Sequence, residues 1–377
     1  MRTASPMLRF MCVGLLAAVA GGAAPAAPQP DDSRARNVIL FLGDAGGIPT
    51  LNAASIHGYS APRRLYLQSM PHIALSETSS ASQWVADSAA GMTAIVTGQR
   101  THNGVVAQSE KAVRGSIDGE PLKTILEYAE ERGLSTGVVS NSSVLSATPA
   151  ACYAHVNDRK KLAEIFVYLV KPRFGDGVDV VIGAGRSEVD GAARQSGLQA
   201  REALANRGVP VYDTLEAIPA DARRASVLFD AEFDLDAATT RAIDVLARNP
   251  NGFFLMVESD LHTETLLRGL DRAVQFDRVI RQTATRLAQD TLILFTADHS
   301  YDFRIHSGRK DTPLVGQIDP AFGDNVDSVR LPNVRRDDDH TGEEVLVAAQ
   351  GPGASRVRGI LSNTDIFHIM MAAYRWN

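Results

Sequence analysis

The chain reads as an α/β protein with a mostly parallel central sheet flanked by helices on both faces. Three observations predict this. Asn37-Val-Ile-Leu-Phe-Leu-Gly-Asp44 is an unbroken apolar run closed by Gly-Asp, the pattern of a strand buried on both sides. Residues 121–133 place apolar side chains at helical spacing and stop at Gly133, and residues 135–141 follow at once as a strand. The alternation then continues, with strands expected at 178–182, 252–258, 291–298 and 344–349 and helices between them, the longest over 266–287. Strand and helix in turn mean a parallel sheet covered on both sides. Residues 300–339 are the longest stretch without periodicity, and long loops in such folds commonly carry function.

With 377 residues, 45% of them hydrophobic and 22% charged, the chain has ample apolar material for a large core. Residues 1–26 read as a secretory signal: Arg2 and Arg9 flank the start, residues 10–20 are apolar, and Ala24-Pro25-Ala26 is a small-residue cleavage site. That apolar run falls well short of the roughly 20 residues a spanning helix needs, so no membrane span is expected. Cleavage after Ala26 leaves residues 27–377 as a single domain, secreted or periplasmic, and moves the net charge from -6 to -8. So acidic a chain is not built for nucleic acid. Cys12 lies in the signal and Cys152 is left alone, so the exported chain has no intrachain disulfide and relies on its core and on metals.

Acids and histidines collect at the strand ends. Asp44 ends the first strand; Glu258 ends 252–258, with Asp260 and His262 directly after; Asp298 and His299 end 291–298; His340 just precedes the last strand. The carboxyl edge of an open α/β sheet is where ligands bind, so these groups converge there. Carboxylates mixed with imidazoles suit zinc, and an all-oxygen set suits magnesium. Any one of them alone reads equally well as a capping acid or a core histidine; the set together points to metals.

A second constellation is built for phosphate. Val85-Ala-Asp-Ser-Ala-Ala-Gly-Met-Thr-Ala94 surrounds one hydroxyl, Ser88, with small residues, and the helix that follows starts at Ala89. Unpaired N–H groups and the positive dipole end at a helix start favour phosphate-like charge, although a bare Asp-Ser is also an ordinary cap. Thr148 adds a hydroxyl and Arg159 a guanidinium able to grip two phosphate oxygens, with Asp87 placed to hold it from the other side. The plainer reading of Arg159 is a solvated helix residue beside Lys160 and Lys161.

From about residue 37 to the C-terminus the chain resembles a bacterial alkaline phosphatase. Gly43-Asp44, Asp87-Ser-Ala-Ala-Gly-Met-Thr93, Ala147-Thr148-Pro149 with Arg159 beyond, Thr296-Ala-Asp-His299 and His340-Thr341-Gly342 match that family's motifs in order. The resemblance implies an alkaline-phosphatase-like fold and hydrolysis of small-molecule phosphate monoesters through a phosphoserine intermediate on Ser88, with Arg159 clamping the phosphate. It implies two zinc ions and one magnesium ion. Asp44, Asp298 and His299 would hold the zinc that activates Ser88, while Asp44 would bridge to a magnesium held by Thr148 and Glu258. His340 would belong to the other zinc, whose remaining ligands stay open among Asp260, His262 and Glu264 because the segment 258–264 is compressed relative to the family. Zinc's preference for nitrogen favours Asp260 with His262, provided the next helix begins near Thr263 or later. Ser146 stands where the family has Asp or His near the magnesium, and residues 300–339 correspond to a shortened crown insertion, which leaves monomer and homodimer both open. Two rivals remain: a phosphodiesterase or related ester hydrolase on the same fold, and an exported phosphate- or metal-binding protein without turnover. A sulfatase needs Cys or Ser followed by x-Pro-x-Arg, which is absent around Ser88.

Overall fold

Every residue of the first strand, β1 (Asn37–Asp44), is buried. Its side chains alternate between two cores, with Val38, Leu40 and Leu42 entering one and Ile39 and Phe41 the other. An apolar run without polar alternation is what such a doubly covered strand requires. The computed structural model describes Met1 and residues 33–287, 289–310, 312–315, 328–330 and 333–376. Apart from Met1, the expected signal lies outside the described residues.

Beyond β1 the chain passes through α1 (Ile48–Tyr59), β2 (His72–Ser76), α2 (Ser88–Thr97), α3 (Ile125–Glu131) and β3 (Ser135–Ser143). A single turn, α4 (Ala147–Ala150), and α5 (Leu162–Val170) lead to β4 (Val180–Ala184), and α6 (Arg186–Gln195), α7 (Ala200–Asn206) and β5 (Val211–Tyr212) to β6 (Ala225–Phe229). Next come α8 (Leu235–Leu246), β7 (Phe253–Asp260), α9 (Leu266–Leu287) and β8 (Thr291–Thr296). The last third holds β9 (Ser300–Ile305), β10 (Ser328–Arg330), β11 (Val334–Thr341), β12 (Val345–Gln350), β13 (Gly359–Leu361) and α10 (Asp365–Ala373).

Ten strands form one sheet in the order β13-β2-β12-β8-β1-β7-β3-β4-β6-β5. All neighbours run parallel except β12, which is antiparallel to both β2 and β8. The α/β class with helices on both faces is therefore the observed one. Strand β1 sits between β7 and β8, in register Leu42 with Glu258, Asp44 with Asp260, and Leu42 with Thr296. Partners in register point to the same face. Asp44, Glu258 and Asp260 thus emerge on the side of Leu42, towards the core that includes Ala89 and Met92 of α2. Leu261 has the opposite parity and enters the other core.

Several boundaries differ from the sequence reading. Helix α3 starts at Ile125 rather than Pro121, because Thr124 and Glu127 form a reciprocal capping box that fixes the first turn there. Strand β7 runs two residues past Glu258, and β8 stops two short of Asp298. Residues 300–339 are not a structureless loop: their described part includes β9 and β10, and with β11 these make an antiparallel three-stranded sheet. His340, expected just ahead of a strand, lies within β11 opposite Tyr301. Among the described residues no helix is long and apolar enough to cross a membrane.

All ten residues of α2 are buried, and the helix lies so close to the end of β8 that a Cβ on Gly91 would fall 2.7 Å from the Asp298 carbonyl oxygen. Gly91→Ala gains helix propensity of up to about 1 kcal/mol, but the overlap with backbone costs about 1–3 kcal/mol. Denaturant unfolding of the metal-free protein should therefore show net destabilisation; equal or greater stability would mean that α2 does not pack this closely.

Candidate active site

The site is assembled around the start of α2. Asp87 is its N-cap, and its Oδ1 accepts hydrogen bonds from Ala90 N–H and Gly104 N–H, both at 3.0 Å. Its Oδ2 accepts from Arg159 Nη1 at 3.2 Å, so one carboxylate ties the helix start, the 104 turn and the guanidinium together. Arg159 is fixed a second time by its own N–H, which donates to the Gly104 carbonyl at 2.7 Å. Ser88 opens the helix and is 3% exposed, with Oγ 3.4 Å from Asp44 Oδ1 and 3.3 Å from His299 Nε2.

Facing Ser88, the strand ends converge as their register requires. Potential ligand atoms of Asp44, Asp298 and His299 lie within 4.8 Å of one another, and those of His262, His299 and His340 form a second such group. The His299 and His340 rings stack with centroids 3.7 Å apart. Two further observations fit cations. Asp298 Oδ2 and Thr148 Oγ1 are buried without a hydrogen-bond partner among the described residues, which is costly for a polar atom unless something else satisfies it. Glu258 is 1% exposed, and the Ser140 hydroxyl donates to its Oε2. Thr148 sits on α4, which packs against β7 and α2.

The electrostatics show the same want of positive charge. Burial raises the Glu258 carboxyl well above the ordinary carboxylate range, with Asp44 adding to the effect. Asp298 is raised to about 6, again by burial first and Asp44 second. Burial also pushes Asp44 upward, but His262, His299 and Arg159 outweigh it and hold this carboxyl well below the usual range. The His262 ring, which burial alone would keep neutral, is raised to about 10 by Asp44 and Asp260. His340 is lowered to about 4 by burial and by the two neighbouring rings, so it is neutral with a free lone pair at physiological pH.

The compressed segment resolves into extended chain followed by a late helix. Strand β7 ends at Asp260 and α9 begins at Leu266, so Asp260 and His262 are two apart outside a helix and Glu264 is exposed. Leu261 is fully buried against Gly43, which fixes the direction of the residues on either side. Asp260 lies outside the two groups of potential ligand atoms, and its Oδ1 accepts from His262 Nδ1 at 2.8 Å and its Oδ2 from Arg272 Nη1 at 3.0 Å. Two neighbours are missed by the sequence reading. Arg272 is one, twelve residues beyond Asp260 on α9; the other is Tyr301, whose ring stands edge-on to His262 with centroids 5.0 Å apart. The alternation of β9 carries a faint signal for Tyr301; for Arg272 no sequence signal exists. A cavity of about 640 Å³ opens over the site, lined by Gln83, Val85, Ala86, Asn103, His262, Glu264, Tyr301, Asp339 and His340.

A buried hydroxyl at a helix start, a tethered guanidinium and two carboxylate and imidazole clusters at the carboxyl edge of a parallel sheet define a hydrolase of the metal-assisted phosphoryl-transfer class. The chain belongs to the alkaline phosphatase family, whose description matches residues 35–203 and 229–317. It is 27% identical over 442 aligned residues to the rat tissue-nonspecific alkaline phosphatase, covering 90% of this chain and 83% of that protein. To the streptomycin-6-phosphate phosphatase of Streptomyces griseus it is 30% identical over 438 residues, covering 95% of each. The alkaline phosphatase of the Antarctic bacterium TAB5 shares the fold, with a TM-score of 0.73 at 23% identity over 91% of this chain and 99% of that one. The activity is accordingly phosphate-monoester hydrolysis, and the family's is metal-dependent.

Metal binding requires deprotonated ligands. In the metal-free chain His262 holds its second proton at pH 8, because its folded pKa is raised to about 10. Loading with zinc and magnesium at pH 8 should release about one proton from this ring, a release that falls away as pH rises through 10. Calorimetry in buffers of different ionisation enthalpy reads the number directly; zero release would show that His262 is not the group displaced.

Proposed function

We propose that this enzyme cleaves phosphate monoesters by transferring the phosphoryl group to Ser88 Oγ and then hydrolysing the phosphoserine. The observation that carries this reading is the position of that oxygen: at the start of a fully buried helix, 3.3–3.4 Å from His299 and Asp44, beside a guanidinium tethered by Asp87. A P–O bond forms from Ser88 as the bond to the departing oxygen breaks. Water then cleaves the phosphoserine and restores the hydroxyl. Through both steps the N–H groups of the first turn of α2 and the Arg159 guanidinium neutralise the non-bridging oxygens.

Two zinc-type sites and one magnesium site complete the reading. Asp44, Asp298 and His299 would hold the zinc nearest Ser88, His262 and His340 would belong to the second, and Glu258 and Thr148 with Asp44 would hold the magnesium. The chemistry such cations supply is Lewis acidity, which lowers the pKa of the Ser88 hydroxyl and stabilises the departing oxygen. The support is chemical: mixed carboxylate and imidazole at the zinc positions, oxygen alone at the magnesium position, and orphaned oxygens on Asp298 and Thr148. Residues 1–26 serve as the export signal and 27–377 as one catalytic unit carrying a reduced crown at 300–339, which places the enzyme in the periplasm or outside the cell.

Acid quenching during turnover and mapping of the labelled peptide should find phosphate on Ser88, and Ser88→Ala should lower kcat by about three orders of magnitude or more. Label on another residue, or near-normal turnover of the variant, rejects the mechanism. Arg159→Ala removes one charged contact worth about 1.5–3 kcal/mol, so kcat/KM should fall roughly ten- to 150-fold while some activity survives. Unchanged kinetics together with unchanged inhibition by inorganic phosphate would take Arg159 out of the site.

A further inference from the structure

Asp260 stands at the end of β7 among residues of metal-binding type, yet both of its oxygens are engaged elsewhere. Oδ1 accepts from the His262 backbone N–H at 3.1 Å as well as from ring Nδ1 at 2.8 Å. Oδ2 receives Arg272 Nη1 at 3.0 Å, and the other arm of that guanidinium, Nη2, meets Glu232 at 2.8 Å. The Arg272 side chain is 19% exposed, so the contact is largely shielded from water. From behind, Asn141 Oδ1 accepts the Asp260 backbone N–H at 2.8 Å and fixes the strand end. A carboxylate only accepts hydrogen bonds, so Nδ1 of His262 carries a hydrogen, and in the neutral ring that a metal binds Nε2 is the nitrogen with a lone pair to offer.

We propose that Arg272 is a positioning residue for metal binding: by holding Asp260 Oδ2 it commits that carboxylate to His262 Nδ1, and so orients His262 to present Nε2 beside His299 and His340. Asp260 is then the partner behind a ligand rather than a ligand itself. The inference rests on the metal reading above. Arginine suits the task because its planar fork spans two carboxylates at once, which a lysine ammonium does less well. Carboxylates behind ligating imidazoles fix the ring's tautomer and orientation, and losing such a partner typically weakens metal binding ten- to 100-fold.

The test is zinc affinity, measured on metal-free protein by competition with a chromophoric chelator, alongside thermal melting of the same metal-free samples and the visible spectrum after cobalt substitution. Arg272→Gln should weaken one zinc-binding step roughly ten- to 100-fold, shift the cobalt bands of that site, and leave the metal-free melting temperature and the remaining steps as in wild type. Asp260→Asn should do the same, and the double variant should be no weaker than the poorer single, because both changes break one chain of contacts. Arg272→Lys should recover part of the loss. Wild-type or tighter zinc binding by Arg272→Gln overturns the proposal, as do fully additive losses in the double variant or complete loss of one zinc in Asp260→Asn. Should Arg272→Gln fail to fold, Arg272→Lys and Asp260→Asn decide by the same criteria. Failure of the wild-type protein itself to bind zinc would instead reject the metal reading on which the inference stands.

Discussion

The catalytic edge depends on one electrostatic constraint, the burial of carboxylates side by side. Asp44, Glu258 and Asp298 are each 8% exposed or less. In a poorly polarisable interior like charges this close repel strongly, and a group relieves the strain by taking up a proton. Glu258 and Asp298 move in that direction, while Asp44 stays ionised because two imidazoles and Arg159 face it. The bare chain therefore balances its own acids with histidine protons. Stability and chemistry draw on the same compensation.

The acids stay where repulsion would otherwise scatter them because the sheet leaves them no freedom. Strand β1 is clamped between two cores, and its neighbours β7 and β8 are locked to it in register along their lengths. A slip of one residue would turn Asp44 away from Glu258 and drive a polar set into the apolar core, so packing forbids it. Against this frame α2 closes to backbone contact at Gly91. Small residues along the helix are thus a condition of reach: they bring a hydroxyl within hydrogen-bonding range of Asp44 and of His299, which lies 211 residues further along the chain.

How much of this was legible in the sequence follows from how local each cause is. Strand β1 and helix α9 could be read residue for residue, since one is a continuous apolar run and the other holds a helical period over its 22 residues. Strands β2, β6 and β13, at five residues or fewer, are too short to establish a period. Strand β11 reads as loop because Arg335-Arg336-Asp337-Asp338-Asp339-His340 has no apolar face; it is held by its antiparallel ladder to β9. In the site, Asp87 and Ser88 were legible because a helix start and its cap are set within a few residues, whereas Arg159, 72 residues from Asp87, was singled out by the phosphate-gripping chemistry of its guanidinium and by the family motif that contains it. The partner of Asp260 was not, because Arg272 reaches it only once α9 has folded back over the end of β7.

The bond between Asp87 and Arg159 also bears on the end of the reaction. A guanidinium free in the cavity would embrace inorganic phosphate with its full fork, and the product would leave slowly. Here one arm is already held by the Asp87 carboxylate, which under the proposed mechanism would compete with phosphate for that contact. On that proposal each departing product would find Asp87 ready to take back the contact it gives up, and the guanidinium would stay oriented for the next ester without retaining the last one.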